Sequence, residues 1–162
     1  MENTLYFAYG SNINLGQMEY RCPDASVVGP VVLDGYELLF RRGGFATIAP
    51  KEGEQVQGLL WSITQSCERS LDRYEGYPRF YDKRMVTVRD AEGRSLSVMA
   101  YIMDERFREP MLPTDTYYNG ILEGITAIHK GQGCRGGGNE YAAGSQTHDS
   151  LRQPVSPGPP AG

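Results

Sequence analysis

Two stretches of the sequence carry residues that could do chemistry together, and the first is Tyr6 to Asn12. It begins as a short apolar strand, breaks at Gly10 and ends in Ser11 and Asn12, small polar residues that commonly start helices. Backbone N–H groups converge where a strand turns towards a helix, so such a turn can bind an anion or a polarised carbonyl. The same pattern is also an ordinary strand end followed by a helix cap, and this stretch alone favours that simpler interpretation.

The second stretch is Leu71 to Pro78, in which Glu75 ends a predicted amphipathic helix. A carboxylate at a helix C-terminus lies at the unfavourable end of the helix dipole, which costs about 0.3–1 kcal/mol. A solvated surface glutamate tolerates this cost. Partial burial beside Tyr74 and Tyr77 would instead raise the pKa of Glu75 towards neutrality, which suits a group that takes up and returns a proton. Asp72 supplies a second carboxylate nearby, although capping or solvent exposure suits it better.

The composition limits the classes of partner. The chain has 162 residues and a formal net charge of −4, with a pI of about 5.2. An acidic protein of this kind is not built to bind nucleic acid or an anionic membrane surface. No apolar run approaches the ~20 residues that a membrane helix needs, and the N-terminus has neither a basic region nor an apolar signal core. We therefore expect a cytoplasmic protein that binds no nucleic acid and no membrane.

The cysteines and histidines give no recognisable disulfide or metal pattern. Cys22, Cys67 and Cys134 are odd in number and widely spaced, which argues against a disulfide framework and against a zinc site. His129 and His148 stand near no other cluster of ligand-type residues. A nucleophilic Cys–His pair lacks a local signature. The sequence therefore predicts no metal site.

The order of the predicted elements indicates an α+β fold. Apolar alternation predicts strands, and capping residues before apolar periodicity predict helices. The predicted strands are Thr4–Tyr9, Val27–Val28, Val31–Arg42, Phe45–Pro50, Val56–Ile63, Tyr81–Arg89 and Ser95–Met103, with turns at Gly29–Pro30 and Lys51–Glu54, and the helices end near Tyr20, Glu75 and Ile128. Consecutive strands with few crossover helices favour an antiparallel or mixed sheet, curled into a small barrel with helices outside.

The end of the chain differs from the rest in composition. From Gly131 onwards it is rich in glycine, and its last nine residues are rich in proline. Such a segment cannot bury enough apolar surface to offset the conformational entropy that it would lose on folding. We therefore predict one domain over residues 1–130 and a disordered tail over residues 131–162.

Four blocks of sequence occur in order between about residues 4 and 125. They are Tyr6–Asn12; Ala46–Ile48 with Val56–Trp61; Leu71–Gly76; and Pro113–Gly124, in which Tyr117 stands seven residues before Gly124. In this combination the chain resembles the gamma-glutamylcyclotransferase-like family. The resemblance implies a compact mixed β-barrel with flanking helices, and a substrate cavity beside the turn that follows the first strand.

The resemblance also implies a reaction. A member of this family would cyclise a gamma-glutamyl amine or dipeptide to 5-oxoproline and release the free amine or amino acid. Carried over by position, Glu75 would be the catalytic acid/base, and the substrate-binding residues would be Tyr6, Tyr9, Gly10, Ser11, Asn12 and Tyr117. No metal or cofactor is implied, and the partner is a small gamma-glutamyl molecule. The alternatives are a non-catalytic binding module on the same fold, and an enzyme that removes a gamma-glutamyl protecting group during a biosynthesis.

Overall fold

Five strands close into a barrel in the computed structural model, which describes residues 3–136. The strands are β1 (Thr4–Ala8), β2 (Ser26–Arg41), β3 (Phe45–Ile63), β4 (Tyr81–Arg89) and β5 (Ser95–Met103), and their order around the barrel is β1-β3-β2-β4-β5. β1 pairs antiparallel with β3 and parallel with β5, whereas the β2–β3, β2–β4 and β4–β5 pairs are antiparallel. The prediction of a mixed β-barrel in an α+β protein is confirmed.

Three α-helices flank the barrel, and local sequence signals begin and end them. They are α1 (Leu15–Arg21), α2 (Gln65–Glu75) and α3 (Asp115–Gly136), and a short 3-10 turn (Ser11–Ile13) precedes α1. Asn14 caps α1 by accepting a hydrogen bond from the Gln17 amide, and Thr64 caps α2 in the same way. Gly76 ends α2 in the left-handed conformation, with φ of 68°, which glycine adopts readily. Among the described residues no helix combines the length and apolarity needed to cross a membrane.

β2 and β3 are longer than the sequence predicted. The residues predicted as a turn, Gly29 and Pro30, instead pair with β3, and the register shifts between Val27 and Gly29. The second predicted turn, Lys51–Glu54, falls at another register shift, where it bulges from the ladder opposite Gly35. The β2–β3 ladder continues on both sides of each shift, so pairing between the two strands carries them through the predicted turns, which local propensity alone does not reveal.

α3 continues beyond the predicted end near Ile128 and reaches Gly136. Once a helix is nucleated, each further residue adds a backbone hydrogen bond, and a glycine costs only about 1 kcal/mol relative to alanine. Residues 137–162 lie outside the described part of the chain. The disordered tail therefore remains a prediction for them, and the helical residues 131–136 are assigned to α3.

Alternate side chains of β1 pack on opposite sides of the barrel wall. Phe7 belongs to the interior cluster, whereas Tyr6 and Ala8 pack in the cluster shared with α1 and α2. Gly58 on β3 permits a close approach at this point, because a Cβ there would lie 2.4 Å from the Ala8 carbonyl oxygen and from the Phe7 ring. This close backbone approach lies at the last residue of β1, Ala8.

A disulfide joins Cys22, at the end of α1, to Cys67, in α2. The odd cysteine count had argued against a disulfide framework, and for this pair that inference is wrong. α1 and α2 pack against the same side of the barrel, so the two Cα atoms lie 5.1 Å apart despite a sequence separation of 45 residues. Spacing along the chain carries no information about such a contact.

Candidate active site

A pocket of about 260 Å³ opens beside the turn that follows β1, where the C-terminal end of α2 and the first turn of α3 meet the barrel. All the site residues predicted from the sequence line it: Tyr6, Tyr9, Gly10, Ser11, Asn12, Glu75 and Tyr117. The other lining residues are Phe45, Ala46, Tyr74, Phe80, Tyr81 and Tyr101. Stretches separated by more than 60 residues in sequence thus form one cavity.

Hydrogen bonds of Asn12 hold the turn from Gly10 to Asn12, and the backbone N–H groups of the turn remain available as donors. Asn12 is buried, its side-chain amide donates to the Tyr6 hydroxyl at 2.9 Å, and its carbonyl accepts from the Trp61 indole at 3.1 Å. Within residues 3–136, the backbone N–H groups of Gly10, Ser11 and Asn12 have no hydrogen-bond acceptor. Since polar groups in such a position need a partner, this turn is suited to a carboxylate or an oxyanion.

Glu75 is the last residue of α2 and the only charged residue among those that line the pocket. Burial raises the pKa of its carboxyl group from the ordinary 4.5 to about 7, and the positive charge of Arg21 opposes that rise. A carboxyl group with a pKa near neutrality is populated in both protonation states at physiological pH. Glu75 can therefore accept a proton in one step and donate it in another.

Four of the six tyrosines that line the pocket divide into two groups by their hydrogen bonds. Tyr9 donates to the Tyr101 carbonyl, and Tyr81 donates to the Ala46 carbonyl. Tyr6 and Tyr117 instead accept hydrogen bonds, from the Asn12 side chain and from the Ala46 amide. In the described part of the chain, neither of these two hydroxyl protons has an acceptor of its own, so both can be donated to a ligand.

Burial raises the pKa of each of these four tyrosines above its ordinary value of 10. The negative charge of Glu75 acts in the same direction on all four. The hydroxyl groups therefore stay protonated at neutral pH and serve as neutral hydrogen-bonding groups. Glu75 is thus the group in the pocket with a pKa suited to proton transfer.

One wall of the pocket is aromatic, and sequence reasoning missed it. The Phe45 ring lies edge-on to Tyr117, with centroids 5.2 Å apart, and edge-on to Phe80 at 6.0 Å. Phe45 begins β3, and Phe80 precedes β4. Isolated aromatic residues at strand ends usually signal packing, so only the closed barrel shows that they face a cavity.

Arg21 was also missed, although it contacts the turn directly. Its guanidinium donates to the Ser11 hydroxyl at 3.0 Å and to the Asn12 side-chain oxygen, and it lies over the Tyr74 ring at 3.7 Å. An arginine in the last turn of a short helix normally indicates a favourable dipole interaction.

Asp72, the second carboxylate considered from the sequence, lies outside the pocket lining, as does Arg84. Asp72 accepts hydrogen bonds from Lys83, at 3.1 Å, and from the Tyr101 hydroxyl. Arg84 pairs with Asp82 on the surface. A pair of carboxylates facing the same cavity is therefore not formed. In residues 3–136 no three His, Cys, Asp or Glu side chains are grouped so that they could hold a metal ion.

Comparisons with known proteins agree with this architecture. The family described as "Gamma-glutamyl cyclotransferase, AIG2-like" matches residues 6–119. The chain is 32% identical over 123 residues to the gamma-glutamylcyclotransferases of Bos taurus and Homo sapiens; the match covers 69% of this chain and spans 65% of the length of each relative. A solved structure named gamma-glutamyl cyclotransferase superposes with a TM-score of 0.75 at 25% identity, over 99% of this chain and 92% of that chain.

Proposed function

The chain belongs to the gamma-glutamyl cyclotransferase, AIG2-like family, and on this premise we propose that it cyclises a gamma-glutamyl amine or dipeptide to 5-oxoproline. The reaction releases the free amine or amino acid. One observation carries the proposal: Glu75, with a pKa of about 7, faces the same pocket as a turn with unpaired backbone donors. The cytoplasmic location predicted from the sequence is part of the same proposal.

The substrate supplies its own nucleophile, so the protein needs neither a catalytic serine nor a catalytic cysteine. The Glu75 carboxylate removes a proton from the substrate α-ammonium group. The free amine attacks the γ-carbonyl carbon, which forms the ring C–N bond and an oxyanion. Glu75 then protonates the leaving nitrogen as the original C–N bond breaks and the carbonyl re-forms. The proton remaining on the ring nitrogen returns to Glu75 and departs with the released amine.

The raised pKa of Glu75 matters for the first of these steps. An α-ammonium group has an ordinary pKa of about 8, whereas an ordinary glutamate has a pKa of about 4.3. Transfer of a proton between groups so different is unfavourable by several kcal/mol. With the pKa of Glu75 at about 7, the two groups are nearly matched, and Glu75 can also return the proton to the leaving nitrogen.

The turn and two tyrosines would stabilise the oxyanion and the substrate carboxylate. The unpaired N–H groups of Gly10, Ser11 and Asn12 belong to a turn whose last residue, Asn12, is held by hydrogen bonds to Tyr6 and Trp61. A well-placed donor of this type contributes about 3–4 kcal/mol to the transition state. Tyr6 and Tyr117 add hydroxyl protons from two other sides of the pocket.

The size of the pocket suits a folded-back glutamyl group. Ligand pockets for drug-sized molecules have volumes of about 300–1,000 Å³, and this one is slightly smaller. A confined cavity favours the curled conformer in which the α-amine lies against its own side-chain carbonyl. Orientation of this kind can supply several kcal/mol, since effective molarities of intramolecular reactions are large.

The direct test is to incubate the purified full-length protein with a panel of gamma-glutamyl amides and dipeptides and to measure 5-oxoproline by mass spectrometry. We expect formation of 5-oxoproline together with an equal amount of the free amine. Release of glutamate in place of 5-oxoproline would contradict cyclisation. Binding of these compounds without turnover would favour the non-catalytic binding module.

A further inference from the structure

We propose that Arg21 is a positioning residue for this reaction: it holds the substrate-binding turn against the end of α2 and directs a positive charge at Glu75. The inference rests on the proposed function, because it assigns a role within that site. Arg21 itself does not line the pocket. It acts through Ser11, Asn12, Tyr74 and Glu75, all of which do.

The first part of the argument is the fork of hydrogen bonds on the turn. One terminal nitrogen of Arg21 donates both to the Ser11 hydroxyl, at 3.0 Å, and to the Asn12 side-chain oxygen. The other donates to the Gln17 side chain at 2.8 Å. A planar guanidinium fixes several acceptors at once, which an ammonium group on a flexible stem does not reproduce. Arg21 therefore fixes the two side chains of the turn.

The second part is the contact between Arg21 and α2. The guanidinium carbon lies 3.7 Å from the centroid of the Tyr74 ring, which is a close cation–π contact. Ser70, also on α2, donates from its hydroxyl group to the Arg21 carbonyl at 3.1 Å. Both ends of the residue are thus attached to the helix that carries Glu75. One side chain links the anion-binding turn to the proton-transfer group.

The third part is the charge environment of Glu75. The groups that interact electrostatically with it are Tyr6 and Tyr9 from β1 and the residue after it, Tyr81 from β4, Tyr117 from α3, and Arg21 from α1. The four tyrosines are neutral at physiological pH. Lys83, the nearest lysine on β4, pairs instead with Glu68 and Asp72. Within residues 3–136, Arg21 is therefore the one cation shown to stabilise the Glu75 carboxylate.

The consequence follows from the sign of this interaction. A nearby positive charge favours the ionised carboxylate and lowers its pKa, so removal of Arg21 raises the pKa of Glu75 further above its ordinary value. With a starting pKa of about 7, half of the Glu75 side chains are carboxylates at pH 7. If the pKa of Glu75 rose by about one unit, only about a tenth of all Glu75 side chains would be carboxylates at pH 7 and able to accept the substrate proton.

The test compares Arg21→Met and Arg21→Lys with a matched control, Arg73→Met. Arg73 is an exposed residue of the same helix as Glu75, and it lies outside the pocket lining. The pH profile of kcat/KM is measured for each protein on one gamma-glutamyl amide. We expect the acidic limb of Arg21→Met to move up by about one pH unit. Arg21→Lys should keep the wild-type limb but show a several-fold higher KM, because the charge remains and the fork is lost.

A second measurement determines the pKa of Glu75 directly and does not depend on turnover. The side-chain carboxyl carbons of glutamate are labelled with ¹³C, and the Glu75 resonance is assigned from its absence in Glu75→Gln and titrated by NMR. The pKa of Glu75 should rise in Arg21→Met and stay within about 0.3 unit of wild type in Arg73→Met. If Arg21→Met does not fold, Arg21→Gln removes the charge while it retains a donor for Ser11, and the same rise is expected.

The outcomes separate this inference from the proposed function. An unchanged Glu75 titration in a folded Arg21→Met or Arg21→Gln variant would overturn the role of Arg21, whether or not the wild type is active. An equal loss of activity in Arg21→Lys and Arg21→Met, with no shift of the acidic limb, would reduce Arg21 to a structural residue. A wild-type protein that forms no 5-oxoproline would refute the proposed function, while the NMR titration would still decide the electrostatic claim.

Discussion

Replacement of Glu75 by glutamine should make the protein more stable at pH 8 and leave its stability almost unchanged at acidic pH. Burial raises the pKa of Glu75 from 4.5 to about 7, so the folded protein favours the protonated form. Stability from this group is fully present below the unfolded-state pKa and is lost as the pH rises through the folded-state pKa. Glutamine is a neutral analogue of similar shape, and its contribution does not depend on pH.

The magnitude follows from the difference between the two pKa values. Each pKa unit corresponds to about 1.36 kcal/mol, so ionisation of the buried Glu75 costs about 3 kcal/mol in total. Roughly 2.5 kcal/mol of this cost appears between pH 5 and pH 8, since part of the linkage lies below pH 5. We therefore expect Glu75→Gln to gain about 2.5 kcal/mol in free energy of unfolding relative to wild type over that interval.

The assay is urea denaturation of both proteins at pH 5, 6, 7 and 8, with the free energy of unfolding extrapolated to water. Use of the difference between the two proteins removes the contribution of every other titrating group. As a control, Glu19→Gln makes the same substitution at an exposed glutamate on α1, outside the pocket lining. Parallel pH profiles for wild type and Glu75→Gln would show that Glu75 is solvated and would refute the pKa on which the mechanism depends.

Three further predictions concern the turn, the packing of α3 and the disulfide. Gly10→Val should weaken binding of a gamma-glutamyl ligand in calorimetry and leave the melting temperature nearly unchanged, because a Cβ there would lie 3.4 Å from Ala46 and from the Tyr117 hydroxyl at the pocket wall. Gly124→Ala should destabilise the protein by about 1–3 kcal/mol in urea melts, since its Cβ would lie 2.4 Å from Ile13. Reduction of Cys22–Cys67 should expose two additional thiols to Ellman's reagent and lower stability by up to about 4 kcal/mol, given the length of the loop that it closes.

Each of these predictions has a result that contradicts it. Unchanged affinity in a folded Gly10→Val variant would remove the turn from the site. A Gly124→Ala protein as stable as wild type would show that α3 is not packed closely against the 3-10 turn. An equal thiol count with and without reductant, measured on unfolded protein, would show that Cys22 and Cys67 are not bonded.

The parts of the fold that could be predicted are those with local signals. β4 and β5 have the predicted bounds, Tyr81–Arg89 and Ser95–Met103, because their apolar alternation and the turn between them lie close together in sequence. α2 likewise ends at Glu75, as predicted, and Gly76 follows it in the left-handed conformation. The long β2–β3 ladder could not be predicted, because pairing between strands overrides the turn signals within it.

In the candidate site, too, some residues could be predicted from local sequence signals and others depend on how separate elements pack. The turn at Gly10 and the glutamate at position 75 were predicted from residue types and from a family resemblance, and the structure places them in one pocket. Their roles in catalysis remain predictions. Phe45 and Arg21 could not be predicted as parts of the site, because their place depends on how separate elements pack together. The Cys22–Cys67 bond was missed for the same reason.

The central claim is that Glu75 transfers the protons of the reaction, and the most direct measurement is the turnover of Glu75→Gln against wild type. The substrate is any gamma-glutamyl amide that the wild type cyclises, and 5-oxoproline is quantified under saturating conditions. Glutamine keeps the size of the side chain but cannot carry a proton, so we predict a folded variant that binds substrate and turns over roughly two to four orders of magnitude more slowly. Turnover within a few-fold of wild type would contradict the role assigned to Glu75.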